Sequence, residues 1–433
     1  MTSNDKKRKR LRLFFVVLGV TAGLGLAIHS EAAPLLNLAD CLAIAEVNHP
    51  NIAGTAGQIA AQQARLTQSA AADRLEVSGN LSTSRSGTGR NENASYSIGA
   101  TTSIKIFDAN RNKYLVDAQR VTLSATEEEG RSTLLSVRTN VKSSYMTLLL
   151  DMEIASQCLE SVRAFAHHLE QAKGFYQVGS KPWYDVTKAE VDLGKAQLSL
   201  VEAEANIVTA KASLLNAMGI DQQEEFDIEP ISPDISSAPQ ELNESELLAD
   251  LALDNRSDYR VAALRILAEQ ATLSAEARAS SPNVTLTGGY NSGGDDLFDL
   301  EKAWNVGLRM TVPIVDGGAT KARIDMARGQ LVSLAATQEK LRQDILLEVR
   351  KAISDLTKAR ERIRISELTL ASAEENRKMA VGRYETGVGD PLEVTDALLS
   401  FAEAQLANRQ AYYDLQLAII GLEKAIGKEL TEI

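Results

Sequence analysis

Residues 176–219 of this chain return, with no gap, as residues 384–427. Tyr176, Gly179, Val186 and Thr187 recur 208 positions later as Tyr384, Gly387, Val394 and Thr395. Ala189, Ala196-Gln197, Ala217 and Gly219 recur as Ala397, Ala404-Gln405, Ala425 and Gly427. An ungapped repeat of this length means that the fold is built twice, which constrains every later reading. Proline placement adds the outline. The nine prolines are at 34, 50, 182, 230, 233, 239, 282, 313 and 391, so residues 109–181, 185–229 and 317–389 contain none. Proline breaks helix interiors, and these are the windows where long helices are allowed. A helix over 109–178 or 317–386 would be about 105 Å long at 1.5 Å per residue. Such helices cannot bury themselves in a globular domain, so they are expected to pack as coiled coil.

The heptad spacing agrees. Val186, Ala189, Leu193, Ala196, Leu200, Ala203, Ile207, Ala210, Leu214 and Ala217 alternate steps of 3 and 4 without a slip. The second copy reads Val394, Ala397, Phe401, Ala404, Asn408, Ala411, Leu415, Ala418, Leu422 and Ala425. A larger residue alternates with Ala, and every Ala is kept. Small residues on a seam let helices approach closely, so the stripe is read as core packing.

A different period precedes each long helix. Tyr96, Ile98, Ala100, Thr102, Ile104 and Ile106 alternate with small or polar residues from Ser95 to Lys105. Trp304, Val306, Leu308, Met310, Val312 and Ile314 do the same in the second half. Upstream partners are Leu75, Val77, Gly79 and Leu81, and Val284, Leu286 and Tyr290. Period two means β-strand. Loops are placed at the Gly-rich stretches 86–90 and 292–296. Each half then carries one long hairpin, at about 75–107 and 282–315, apolar on one face and polar on the other. That pattern fits a transmembrane barrel or a soluble antiparallel sheet. Two hairpins give four strands, too few to close a barrel, and lipid forbids open edges. If these strands lie in membrane, several chains must complete one barrel, and three chains give twelve strands.

The chain opens with Lys6-Lys7-Arg8-Lys9-Arg10 and Arg12, an apolar run over 13–28, and Ser30-Glu31-Ala32. This reads as a secretory signal peptide over 1–32, cleaved after Ala32, with no lipoprotein cysteine at the cleavage site. Its removal takes away six Lys/Arg and two Asp/Glu, moving the net charge from −12 to −16. So acidic a chain is a poor nucleic-acid binder. Cys41 and Cys158 could form one disulfide in an oxidising compartment, but they lie in distant parts of this layout, which argues against a bridge. The organisation is therefore a first repeat over 33–220 with helices at 38–48, 52–72, 109–178 and 183–218. A three-proline linker follows over 221–244, then a second repeat over 245–433 with helices at 245–255, 259–280, 317–386 and 392–426. Asp108 and Asp316 are placed as N-caps of the long helices. The medium and last helices of each half together match the long one, so they are expected to stack end to end beside it.

No catalytic constellation emerges, and neither a phosphate-binding loop nor a nucleophile elbow is present. The four histidines are His29, His49, His167 and His168. His167 and His168 are adjacent, face about 100° apart on a helix and cannot chelate together; both are read as part of a solvated helix face. No cofactor, metal or enzyme activity is expected.

In its order of features the chain resembles the TolC-like outer-membrane factors, trimeric exit ducts for efflux pumps and type I secretion. The carrying residues are the duplication, 48–52 after the first short helix, and Arg256-Ser257-Asp258-Tyr259 in its place in the second half. Others are Ile106-Phe107-Asp108 and Ile314-Val315-Asp316-Gly317-Gly318, and the two Tyr-x-x-Gly turns. The resemblance spans residues 36–427. It implies an α+β membrane protein: a homotrimer with a twelve-stranded barrel in outer-membrane lipid and a helical tunnel reaching into the periplasm. It also implies a periplasmic membrane-fusion adaptor and an inner-membrane pump of RND, ABC or MFS type as partners. The adaptor would dock at the helix-tip turns, Gly179, Lys181, Pro182, Gly387, Gly389, Asp390 and Pro391. Glu393 and Asp396 match carboxylates that line the family's constriction, and three copies would make two acidic rings. Such rings favour cations, can bind a divalent ion and should make conductance depend on pH. From the residues alone, Glu393 reads equally well as the third position of a capped helix start after Asp390-Pro391. Asp185 and Tyr384 match positions that help hold the closed state by inter-helix hydrogen bonding. The family's basic partner in the second turn is replaced by Gly389, which leaves Lys181 as a candidate substitute. The alternative class is a periplasmic coiled-coil adaptor without a barrel, which would carry one helical hairpin flanked by β domains.

Overall fold

The structure is a computed structural model that describes residues 35–88, 91–222, 226–230 and 245–429. The predicted signal peptide and its cleavage site lie outside these residues. In chain order the elements are β1 (Leu35–Leu36), α1 (Leu38–Asn48), α2 (Pro50–Ala71), β2 (Glu76–Thr88), β3 (Asn91–Phe107), α3 (Arg111–Gln177) and α4 (Trp183–Met218). They continue as β4 (Asp227–Ile228), α5 (Ser245–Asn255), α6 (Ser257–Glu276), β5 (Asn283–Asp296), β6 (Asp299–Thr311), α7 (Ala319–Glu385) and α8 (Pro391–Ile426). The second half repeats the order of the first, and α3 and α7 are each 67 residues long.

The long helices start two residues later than the sequence suggests. Asp108 and Asp316 do cap them, from two positions before the N-cap residues Asn110 and Gly318: Asp108 accepts from the Asn112 amide at 2.9 Å, and Asp316 from the Gly318 and Thr320 amides at 3.0 and 2.8 Å. The two residues between cap and helix take left-handed backbone, Ala109 and Asn110 in one copy and Gly317 and Gly318 in the other. Glycine adopts that region freely, whereas alanine is strained there.

The N-terminal half of α3 is flanked by α2 and α6, and its C-terminal half by α4 and α8. Gln62 on α2 donates to Gln119 at 2.8 Å, and Arg265 on α6 pairs with Glu129 at 2.5 Å. Further along, Ala155 and Cys158 pack on Ala203 of α4, and Arg409 of α8 pairs with Glu153 at 3.1 Å. The expected end-to-end stacking is present. A Cβ at Gly219 would lie 2.6 Å from the His49 Cα, so the end of α4 abuts the start of α2. Gly427 meets Arg256 in the same way at the α8–α6 junction. The alanines of both heptad stripes are buried apart from the half-buried Ala418, as a close-packed seam requires.

The strands β1 and β4 are only two residues long each, too short to show a period in the sequence. They pair in parallel, and the Tyr145 hydroxyl donates to the Glu229 carbonyl at 2.8 Å, tying α3 to this midpoint. Burial pushes the Tyr145 phenol up to about 12 and the neighbouring Cys41 thiol up to about 11. Cys41 and Cys158 are both free and buried.

The four long strands form one antiparallel sheet in the order β2-β3-β5-β6. The Gly-rich stretches expected as loops lie largely inside strands. β2 runs to Thr88, and β5 continues through Gly293 to Asp296 with a register shift there. Glycine tolerates such an irregularity without ending the ladder. β6 ends at Thr311, earlier than expected, because Pro313 has no amide to donate. The register resolves the two faces. Val77, Leu81, Ile98, Ile104, Leu286, Tyr290, Trp304, Val306, Leu308 and Met310 share one face. Ser78, Asn80, Ser82, Ser97, Thr101, Ser103, Lys105, Thr287, Asn305 and Arg309 share the other. Ser78–Thr101 and Ser82–Ser97 hydroxyl bonds, both 2.7 Å, cross the polar face.

Candidate functional site: the paired helix tips

At the end farthest from the sheet, two turns lie side by side. Gly179 ends α3 at φ +73°, where its amide reaches the Tyr176 carbonyl at 2.9 Å. Gly387 ends α7 at φ +80°, where its amide reaches the Tyr384 carbonyl at 3.0 Å. These two positions need glycine for their backbone, as a left-handed helix stop does. The turns then diverge. Pro182 stands at the N-cap of α4 with no side-chain cap, whereas Asp390 caps α8 by accepting from the Leu392 amide at 2.9 Å, with Pro391 in the first position.

Gly389 occupies the place of Lys181 in the repeat. A Cβ there would lie 2.7 Å from the Tyr384 amide nitrogen, so this turn has no room for a side chain. Lys181 fills the gap from the other turn. Its Nζ donates to the Gly389 carbonyl at 3.1 Å and lies 5.5 Å from the centre of the Tyr384 ring. One lysine therefore ties the two hairpin tips together.

Tyr384 is fully buried, with its ring edge-on to Phe175 at 5.1 Å and tilted against His168 at 5.4 Å. Asp185 is 6% exposed. Among the described residues, the Tyr384 hydroxyl and Asp185 Oδ2 have no hydrogen-bond partner. Burial raises the Asp185 carboxyl above its ordinary range, Lys181 partly offsets this, and Asp390 adds to it. Burial, followed by the Asp185 charge, raises the Tyr384 phenol. The two groups expected to form a latch are thus neighbours electrostatically. Both are buried, where an unpaired polar atom costs about 1–3 kcal/mol.

Glu393 and Asp396 are exposed, one turn apart on α8. Glu393 does not complete a capping box; its carboxylate faces Arg383 Nε at 3.5 Å. His168 corrects the sequence reading. His167 is exposed, but His168 is only 3% exposed. The signal was available: Phe165, His168, Ala172 and Phe175 are spaced 3, 4, 3 and continue the apolar seam of α3. No group of three metal-ligating side chains occurs among the described residues.

The family model described as Outer membrane efflux protein matches residues 42–220 and 248–428. The chain belongs to the outer membrane efflux protein family. It is 27% identical over 386 residues to the cation efflux system protein CusC of Escherichia coli O157:H7, covering 83% of this chain and 78% of that one. It is 23% identical to the outer membrane protein TolC of Vibrio cholerae, covering 97% and 95%. The match to OprJ of Pseudomonas aeruginosa, at 28% identity, spans 42% of this chain and 40% of OprJ. In fold it is similar to the crystal structure of VceC from Vibrio cholerae, with TM-score 0.81 and 18% identity, covering 90% of this chain and 96% of that one. Both family segments carry one hairpin and one tip turn, so the family pattern is itself duplicated.

Proposed function

We propose that three copies of this chain close into one exit duct of the outer membrane, with a twelve-stranded barrel above and a helical tunnel below. The observation that carries this reading is the sheet. Its apolar face is exposed in the single chain, with Leu81 at 80%, Trp304 at 77% and Val306 at 70%. Its edge strands β2 and β6, each 13 residues long, have one neighbour apiece. An apolar face of that extent suits lipid, and two long open edges suit pairing with further copies. The rest of the chain has matching flanks. One consists of β2, α2 and α4; the other of β6 and α7. Val191, Leu198, Val201 and Val208 stand exposed on α4, and Met326, Val332, Ile365, Leu368 and Met379 on α7. Head-to-tail contact of unlike flanks closes a ring when the rotation allows it.

In this duct the tips are the gate, and passage is passive. Three copies of Glu393 and Asp396 form acidic rings that favour cations. Lys181, bonded to the Gly389 carbonyl, and the buried ring of Tyr384, packed on His168 and Phe175, hold the two hairpins together, and opening separates α7–α8 from α3–α4. Gly179, Pro182, Gly387 and Pro391 shape the surface where a periplasmic membrane-fusion adaptor docks, and an inner-membrane pump of RND, ABC or MFS type supplies the substrate for efflux or secretion. The test is reconstitution into planar bilayers: a detergent-extracted trimer should conduct, with cation preference reduced by Glu393→Gln and Asp396→Asn. A water-soluble, non-conducting monomer would end this reading.

A further inference from the structure

We propose that His168 is a proton sensor in the gate, whose protonation drives the α7–α8 tip away from α3–α4. The inference rests on the gate reading above and adds its regulation. His168 lies 97% out of solvent on α3, with its Nδ1 unpartnered among the described residues. Tyr384 of α7 is the lid: its ring covers the imidazole, its hydroxyl is unpartnered too, and Lys181 and Asp185 stand beyond it. The charged groups facing His168 come from α4 and from its own helix. Asp192 of α4 is buried, but Lys188 at 2.6 Å and Lys195 at 3.8 Å already hold its carboxylate. Lys188 itself and exposed His167 add positive charge nearby. A proton arriving on His168 would therefore create a buried cation whose facing carboxylate, Asp192, is already shared with Lys188 and Lys195, and water becomes available when the Tyr384 lid lifts.

The sign follows from burial. Burial, with His167 and Lys188 adding to it, lowers the closed-state affinity of His168 for a proton, and Asp192 opposes this only in part. A group with a lowered value in the closed state supports closure above its ordinary value near 6.5 and withdraws that support as pH falls below it. If the closed ring stays neutral, acidification from pH 7.5 to 5.5 shifts each protomer toward open by about tenfold. Asp185 acts in the opposite sense, because its carboxyl is raised in the closed state.

The experiment places spin labels at Val178→Cys and Val388→Cys, both 76% exposed on neighbouring turns, in the reconstituted full-length protein. The native cysteines are buried and stay unlabelled. Double electron–electron resonance reads the separation of the turns at pH 7.5 and 5.5, alongside bilayer conductance. The wild type should gain a long-distance population by about tenfold at pH 5.5, and His168→Gln should stay at its pH 7.5 distribution at both values. His168→Phe, which keeps an aromatic ring against Tyr384, is the second neutral variant. A wild type that does not respond, or neutral variants that respond like it, overturns the proposal. A pH-driven distance change in a protein that never conducts supports the switch and refutes the duct. Conductance and distances that both ignore pH do the reverse.

Discussion

Removing the Lys181 amine should open the gate. Lys181→Met keeps the length and most of the apolar stem, while it deletes the 3.1 Å bond to the Gly389 carbonyl and the positive charge over Tyr384. A hydrogen bond to a charged group contributes about 1.5–3 kcal/mol net, and a cation over an aromatic ring about 0.5–1 kcal/mol where water reaches it. Lys181 is half-buried, so the lower end of each range applies, and the closed tip loses about 2 kcal/mol per protomer. That is about a thirtyfold rise in the open-to-closed ratio. Single-channel recording of the reconstituted trimer measures it as open probability at pH 7.5. Lys181→Arg, which keeps charge and donors, should fall between wild type and Lys181→Met. Gly389 cannot compensate, since any side chain there meets the Tyr384 backbone. An open probability unchanged in Lys181→Met would show that the lysine is a bystander and that the tips are held elsewhere.

Other consequences are equally measurable. Tyr384→Phe removes a hydroxyl without a partner among the described residues, so open probability should stay unchanged or fall; Tyr384→Ala removes the buried ring itself, costs about 3–5 kcal/mol and should leave the gate open. Gly219→Ala combines a left-handed backbone with a 2.6 Å approach to His49, whereas Gly179→Ala has the strain alone, about 1–2 kcal/mol. Thermal unfolding should rank Gly219→Ala well below Gly179→Ala, and equal melting temperatures would refute the helix-stacking account. On the sheet, Val306→Lys places a charge on the apolar face at a cost of about 2–4 kcal/mol in lipid, whereas Ser103→Lys lies on the polar face. Recovery of membrane-inserted trimer should drop for the first alone; equal recovery would mean that this face does not meet lipid.

The repeating parts of this protein are legible in one dimension. A residue every 3.5 positions from Val186 to Ala217, period two from Tyr96 to Ile104, and glycine at 179 and 387 are local statements. Helix, strand and left-handed turn each depend on a few consecutive residues, so the duplicated hairpin, the long helices and the tip turns could be read from residue order. The signals that misled were also local. Gly293 and Gly294 looked like a loop because glycine is permissive, yet neighbouring strands supply ladder bonds that carry the chain through them. Ala109 and Asn110 looked helical, yet they take the left-handed backbone that Gly317 and Gly318 adopt in the other copy.

The contacts between the helix tips are different in kind. Lys181 and Gly389 are 208 residues apart, and nothing near either one says that they touch. The parallel pairing of Leu35–Leu36 with Asp227–Ile228 is equally remote. His168 shows the division within one side chain. Its spacing from Phe165 and Ala172 places it on the packed seam of α3, which is a property of the sequence. That its neighbour there is the ring of Tyr384, with Asp192 already held by Lys188 and Lys195, was decided only when three helices packed together. Burial sets the cost of a charge, and burial is a property of the packed structure alone.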